Sequence, residues 1–160
     1  MNPIPNDRSY PVRSKPWYED GLRFRCTRCG NCCGGGPGTI RVTDGEIHAL
    51  AAHLRVAHTE FRERYTRDVG DRYVSLREKP NYNCIFYDKD AGCTVYAARP
   101  RQCRTWPFWR GVVASRQRWV ETGEECPGMN QGPLYSAEYI ELTSVDDGTL
   151  GTARRLERTR

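Results

Sequence analysis

The sequence lacks any hydrophobic run that could cross a membrane. A membrane-spanning helix needs roughly 20 consecutive, mostly apolar residues, whereas 28% of these 160 residues are charged and 38% are hydrophobic. The first residues, MNPIPNDRSYPVRSKPWYEDG, are polar and proline-rich and lack the apolar centre of a secretory signal. We therefore expect a cytoplasmic protein that has no membrane partner and is of a size to form one domain.

Histidine is also scarce, and its spacing does not match a metal-binding motif. His48, His53 and His58 follow one another at intervals of five residues. Successive helical residues are about 100° apart, so His48 and His53 would lie about 140° apart on one helix. They would not converge on one ion as an i, i+4 pair can. We interpret all three histidines as residues of the surface or of helix ends.

Cysteine, by contrast, is abundant and clustered. Four of the eight cysteines fall within the stretch CTRCGNCC at 26–33. Cys26, Cys29 and Cys32 repeat a C-x-x-C spacing, which allows sulfurs on one tight turn to converge on a metal. Disulfides are rare in the cytosol because thiols are kept reduced there. We therefore expect metal-bound thiolates, and the alternatives are four disulfides or mostly free, buried thiols.

The other four cysteines lie further along the chain. Cys84 and Cys93 flank IFYDKDAG, where short β-prone runs surround a turn, and we predict a hairpin with a cysteine at the start of each strand. Cys103 lies in RPRQCRTWPFW. Cys126 precedes a proline in ECPG, and a Cys-Pro pair also ends the iron–sulfur motif of bacterial ferredoxins.

Short elements between the cysteines predict a small, irregular α+β domain with a β-hairpin and a few short helices. Thr43 and Glu46 have capping-box spacing at the start of the amphipathic segment DGEIHALAAHL. A second helix is predicted from about Thr59 to Val69, a strand in RYVSLRE, and a late helix in PLYSAEYIELTSV. We expect the domain over residues 21–145, with a flexible N-terminal arm at 1–20 and a frayed basic tail at 146–160.

Three segments together resemble a known family. CTRCGNCC, CIFYDKDAGCTVYAARPRQCRTWPF and ECPG are similar to the CxxCxxCC cysteine-cluster family, also called the YkgJ-type or zinc- or iron-chelating domain. The resemblance spans Phe24–Gly128 and includes the vicinal pair Cys32–Cys33. It implies a small metal or iron–sulfur domain, mostly of undefined biochemical role. The ligands that it implies are Cys26, Cys29, Cys32, Cys33, Cys84, Cys93, Cys103 and Cys126.

The vicinal cysteines bear on the number of centres. Side chains at adjacent positions are expected to diverge, which suggests two centres, or one centre and a spare thiol. The preferred partition joins Cys26, Cys29, Cys32 and Cys126 in one set and Cys33, Cys84, Cys93 and Cys103 in another. Four thiolates suit zinc as well as a 4Fe–4S cluster, and the ferredoxin-like spacing favours iron–sulfur.

Two classes of function follow from these metals. In the first, the chain is a metal-binding protein that is passive or acts through a partner, as a zinc-stabilised interaction module would. In the second, it is a redox enzyme or an electron carrier. The aromatic residues Trp106, Phe108 and Trp109 are expected to pack over the cysteines and keep water out; the alternative is that they dock a protein partner.

The basic charge does not predict nucleic acid binding. The formal net charge is +5, but a zinc ion or an oxidised four-iron cluster with four thiolates carries about −2. Two such centres would bring the protein to about +1, so much of the basic excess can compensate the thiolates locally. The arginines that lie beside ligand positions are Arg25, Arg28, Arg99, Arg101 and Arg104.

Overall fold

The computed structural model describes residues 15–70 and 73–149. It confirms the α+β class, because short helices are interspersed with short antiparallel strands. The strands are β1 (Leu22–Phe24), β2 (Arg41–Val42), β3 (Thr66–Asp68), β4 (Val74–Leu76), β5 (Tyr87–Asp88), β6 (Gly92–Cys93) and β7 (Met129–Tyr135). The helices are α1 (Asp44–Leu54), α2 (His58–Tyr65), α3 (Arg101–Thr105), α4 (Arg110–Val113), α5 (Arg116–Glu125) and α6 (Ala137–Val145).

The strands form three separate small sheets. Strand β1 pairs with β7, and the central strand β4 pairs with β2 on one side and β3 on the other. Strands β5 and β6 form the predicted hairpin, in which Tyr87 lies opposite Cys93. Cys84 lies before the hairpin strands and pairs with Glu78 in an isolated bridge. The hairpin is thus confirmed, but neither cysteine begins one of its strands.

The first hydrophobic core packs α1 and α2 against β4 and the hairpin. The predicted capping box is present, since the Thr43 side chain accepts a hydrogen bond from the Glu46 N–H and Glu46 bonds the Thr43 backbone in return. This cap fixes where α1 begins and therefore which face is buried. The buried members of this core are Val42, Ile47, Leu50, Ala51, Phe61, Leu76, Phe86 and Val95.

A second hydrophobic core is built from the two ends of the domain. The β1–β7 pair brings the N-terminal strand against the C-terminal helices, and aromatic rings fill the space between them. Phe108, for example, lies in a stacked arrangement 6.0 Å from Trp119. The buried members are Leu22, Phe24, Phe108, Val113, Trp119, Met129 and Ile140.

Two predicted helices differ in extent from those observed. Helix α2 ends at Tyr65 and the chain enters β3 at Thr66, because residues 66–68 hydrogen-bond to β4 and β-branched Thr66 favours a strand. The late segment also divides, with residues 129–135 in strand β7 and only 137–145 in α6. Strand pairing overrides local helix preference in both places, since β3 pairs with the next strand, β4, and β7 pairs with the distant β1.

The flexible arm and the frayed tail remain predictions, since residues 1–14 and 150–160 lie outside the described part of the chain. Trp17, within the predicted arm, donates from its indole N–H to the Val113 carbonyl at 2.8 Å. Asp147, within the predicted tail, is 1% exposed and accepts from the Arg110 N–H at 2.8 Å. Packing therefore extends beyond residues 21–145 on both sides. Among the described residues, no helix has the length and apolar character needed to cross a membrane.

The packing of the first core predicts that truncating a buried side chain lowers the free energy of unfolding far more than truncating an exposed one. Phe61 is fully buried, whereas Leu142 on α6 is 69% exposed. We expect Phe61→Ala to lower the free energy of unfolding by about 3–5 kcal/mol, because it leaves a cavity. The control Leu142→Ala should change it by less than about 0.5 kcal/mol. Denaturant unfolding of both variants at equal metal content measures the difference, and equal losses would contradict this packing.

Candidate metal centre

The cysteine-rich loop is shaped by a tight turn and anchored at two points. Gly30 has φ 83°, and residues 31–33 form a single 3-10 turn closed by a hydrogen bond from the Cys33 N–H to the Gly30 carbonyl. The Cys84 N–H donates to the Cys33 carbonyl at 2.7 Å. On the other side, the Asn31 side chain donates to the Glu125 carbonyl at 2.6 Å. The loop therefore bridges the hairpin region and the end of α5.

Strand pairing brings the first and last cysteines to the same region. Phe24 in β1 lies opposite Met129 in β7, and the Arg25 N–H donates to the Gly128 carbonyl at 3.0 Å. Cys26 follows this pair directly, and Cys126 lies at the end of α5, just before β7. Residues 100 positions apart in the sequence are in this way held at one end of the second core.

The hairpin and α3 supply the remaining thiols. The Tyr87 N–H donates to the Cys84 carbonyl at 2.9 Å, and Cys93 pairs with Tyr87 across the hairpin. Cys103 lies in α3, where its N–H donates to the carbonyl of Pro100 at 3.0 Å. Pro100 is fully buried, so it fixes the start of this short helix against the protein interior.

All eight cysteines line one cavity of about 230 Å³, and all eight are free thiols. Cys84 and Cys93 also pack against the first core, and Cys26 and Cys126 pack against the second. The cavity therefore lies between the two cores. Its other lining residues include apolar side chains from both: Phe24, Ile40, Leu76, Phe86, Val95 and Trp106.

The vicinal cysteines do not diverge as expected. Their side chains share a hydrogen bond, which lowers the pKa of Cys32 to about 7 and raises the pKa of Cys33. The Cys33 thiol donates and the Cys32 sulfur accepts, so this contact favours ionisation of Cys32 over that of Cys33. The expectation of divergence was wrong because the tight turn after Gly30 directs both sulfurs into the same cavity.

The surroundings of three more thiols disfavour their ionised form. Burial is the main cause that raises the pKa of Cys84, Cys93 and Cys103, because a thiolate is poorly solvated there. The charges of neighbouring cysteines raise all three further, and the charge of Arg99 partly offsets the effect at Cys93 and Cys103. Thiolates gathered this closely need a compensating cation.

Polar groups of the lining contact sulfur directly. The Trp106 indole N–H donates to the Cys126 Sγ at 3.5 Å, and Tyr96 shares a hydrogen bond with Cys26. The Tyr96 ring lies 4.1 Å from the Arg28 guanidinium and 3.6 Å from that of Arg99. Two cations are thereby held at the thiol site by cation–π contacts.

Of the arginine and aromatic side chains that the sequence predicts near the cysteines, the structure places some at the cavity and others away from it. Arg28 and Arg99 line the cavity, whereas Arg25 and Arg104 are exposed elsewhere and Arg101 pairs with Asp146 at 3.0 Å. Trp106 and Trp109 line the cavity, as the packing interpretation predicts. Phe108 is only 3% exposed and so is not available to a docking partner.

One residue of the site was missed in the sequence analysis. Tyr96 precedes Arg99 by three residues in a 3-10 turn, and this turn places the two side chains together. The spacing alone could have suggested that contact, but nothing in the sequence indicates that Arg28, from the distant loop, lies on the same ring.

Comparison with known protein families identifies one family. The family model described as "CxxCxxCC: Putative zinc- or iron-chelating domain" matches residues 25–127. A protein named "Uncharacterized protein MJ0661", from Methanocaldococcus jannaschii, is 30% identical over 92 residues, which are 57% of this chain and 48% of that protein. The chain thus spans about half the length of this curated relative. No solved structure matches the chain significantly.

The loop geometry predicts that alanine substitutions at two glycines will lower the stability of the protein by different amounts. Gly30 and Gly35 both have positive φ, but a Cβ at Gly30 would collide with the Tyr87 ring, whereas one at Gly35 meets open space. Both changes to alanine should cost about 1–2 kcal/mol from the left-handed backbone. Gly30→Ala should cost at least about 1 kcal/mol more, because the overlap displaces the loop.

Metal per chain and the midpoint of thermal unfolding measure this difference, with Gly35→Ala as the matched control. We expect Gly30→Ala to retain less metal than the control. Equal metal content and equal midpoints in the two variants would show that contact with Tyr87 does not position the loop.

Proposed function

Because the chain belongs to the CxxCxxCC family of zinc- or iron-chelating domains, we propose that its cysteine cavity binds two iron–sulfur centres of the 4Fe–4S type, one to each of two four-cysteine sets. The observation that carries this proposal is the convergence of all eight cysteines on one cavity between the two cores. The family membership supports metal binding as such. The type of centre and its role in redox chemistry are our inference.

The donor set and the size of the cavity both suit a centre of this type. Thiolates are the ligands of iron–sulfur clusters and of structural zinc. A cavity of roughly 150 Å³ is large enough to bind benzene, and this one has about 230 Å³. Space of this size between the sulfurs favours a cluster, which lies between its ligands, over a bare ion.

We propose the two ligand sets named in the sequence analysis, but on backbone contacts and no longer on a divergence of Cys32 from Cys33. Backbone contacts support them, since β1–β7 pairing brings Cys26 near Cys126 and the Cys84 N–H bonds Cys33. The first set is Cys26, Cys29, Cys32 and Cys126, and the second is Cys33, Cys84, Cys93 and Cys103. Both sets face one cavity, so the two centres would be close neighbours.

An iron–sulfur centre supplies one-electron chemistry, and the lining residues of this chain are suited to tune it. The Trp106 N–H directed at Cys126 Sγ favours electron density on that sulfur, as hydrogen bonds to cluster ligands do. Arg28 and Arg99 add positive charge, which stabilises the more negative, reduced state. We infer an electron carrier or redox sensor of the cytoplasm, where thiols stay reduced.

Zinc is the second candidate, and one observation favours it. The hydrogen bond between the Cys32 and Cys33 side chains brings two sulfurs close together. Ligand sulfurs of one tetrahedral zinc ion lie about 3.5–4 Å apart, given a zinc–sulfur bond of about 2.3 Å. With four thiolates, zinc has no open position, so the chain would then be a structural or interaction module.

The identity of the bound metal distinguishes an iron–sulfur electron carrier or redox sensor from a zinc-stabilised module. Protein purified without oxygen should be brown and should contain iron and inorganic sulfide, and dithionite should bleach its visible absorption. Alkylation under denaturing, non-reducing conditions should label all eight thiols, because the free cysteines form no disulfide. A colourless protein that contains only zinc would end the electron-transfer interpretation and leave the zinc module.

Substitution of the vicinal cysteines tests the ligand sets. A structural metal supplies on the order of 10 kcal/mol of apparent binding energy, whereas a spare thiol changed to serine should cost only about 1 kcal/mol. Cys32→Ser and Cys33→Ser should therefore each lower metal content and the unfolding midpoint. If one variant keeps its full metal content and midpoint, one four-cysteine centre with unused thiols replaces the two-centre proposal.

A further inference from the structure

We propose that Asp44, His48 and His58 form a second, surface site for a divalent transition-metal ion, separate from the cysteine cavity. One ligand atom from each of the three side chains lies within 4.8 Å of the other two. The His58 Nε2 is 2.9 Å from the Asp44 Oδ1, and the His48 Nδ1 is 3.4 Å from the Asp44 Oδ2. The two imidazole rings are stacked, with centroids 3.9 Å apart.

The fold creates this cluster through the turn between α1 and α2. Asp44 and His48 are four residues apart on α1, so their side chains share one face. Helix α1 ends at Leu54, the following Arg55 has the left-handed conformation, and Ala57 is extended. The chain therefore doubles back along α1, and four residues can span about 13 Å, which is enough to return His58 to the other two side chains.

The three side chains are not required by the helix cap. The cap of α1 is formed by Thr43 and Glu46, and the second carboxylate oxygen of Glu46 accepts from the Arg101 N–H at 2.5 Å. The Asp44 carboxylate is instead directed at the two imidazoles. The carboxylate and the two histidines meet at the surface outside the cap and the core, with the His48 Nδ1 also 2.9 Å from the Asp44 backbone carbonyl, and such a donor set suits a cation.

The donor chemistry selects the ion. Two imidazoles and one carboxylate are ligands that zinc, cobalt, nickel and iron(II) accept, with the remaining positions left to water. Around tetrahedral zinc such atoms lie about 3.3 Å apart, given bonds of about 2.0–2.1 Å. Small side-chain rotations can bring the three atoms from their present separations to that distance. The nitrogen and oxygen donors differ from the thiols of the cavity, so the two sites should differ in metal preference.

The test uses the whole chain with its cysteine centre loaded, and Zn²⁺ as the probe. Imidazole resonances are followed by NMR during titration without oxygen. We expect saturable shifts of His48 and His58 at one equivalent, with His53 unmoved and the absorption of the cysteine centre unchanged. His58→Ala and Asp44→Asn should each weaken binding at least about tenfold, because even loss of a residue that only orients a metal ligand costs about 10–100-fold.

His53→Ala is the matched control, because His53 lies on the same helix but outside the cluster, and it should bind Zn²⁺ as the parent chain does. Circular dichroism establishes that every variant keeps its helices. Co²⁺ gives a second readout, since ligation here should produce visible bands without thiolate-to-cobalt charge transfer. The proposal is overturned by equal affinity in His58→Ala, by no saturable binding at millimolar Zn²⁺, or by cobalt–thiolate charge transfer alone.

Discussion

The need to hold eight thiols around one cavity governs this structure. The described chain forms two modest hydrophobic cores, and the cysteines lie where the two meet, half of them in direct contact with one core or the other. Each anchoring contact of the site, such as the Cys84 N–H bonded to the Cys33 carbonyl and the Asn31 side chain bonded to the end of α5, links segments far apart in the sequence. A bound centre therefore acts as a bridge between the cores.

Typical free energies indicate how much a bound centre would contribute to the stability of the domain. Single domains are stable by only about 5–15 kcal/mol, and one structural metal site can contribute a comparable apparent amount. The short sheets, two of which have only two strands, would be marginal on their own. Burial raises the pKa of Cys84, Cys93 and Cys103, and a bound metal would favour their thiolate form. We therefore expect folding and metal binding to be coupled.

Much of this could be predicted from the sequence wherever the signal is local. The Thr43–Glu46 cap, the hairpin and the metal-binding character of CTRCGNCC all depend on residues a few positions apart. The exceptions depend on partners outside the segment itself: β3 replaces the end of a predicted helix because it pairs with β4, and His48 meets His58 because the intervening turn doubles back. Helical spacing alone separates His48 from His53 and says nothing of His58. The convergence of Cys32 and Cys33 likewise requires the shape of the loop.

X-ray absorption at the iron and zinc edges of protein purified without oxygen tests the central claim most directly. If the cysteines jointly hold an iron–sulfur centre, the iron should be surrounded by sulfur alone, with a short iron–iron distance in the next shell. The surface histidine site, if zinc fills it, should contribute only nitrogen and oxygen at the zinc edge. Iron bound by nitrogen or oxygen, or sulfur-bound zinc in a protein without iron, would contradict the account.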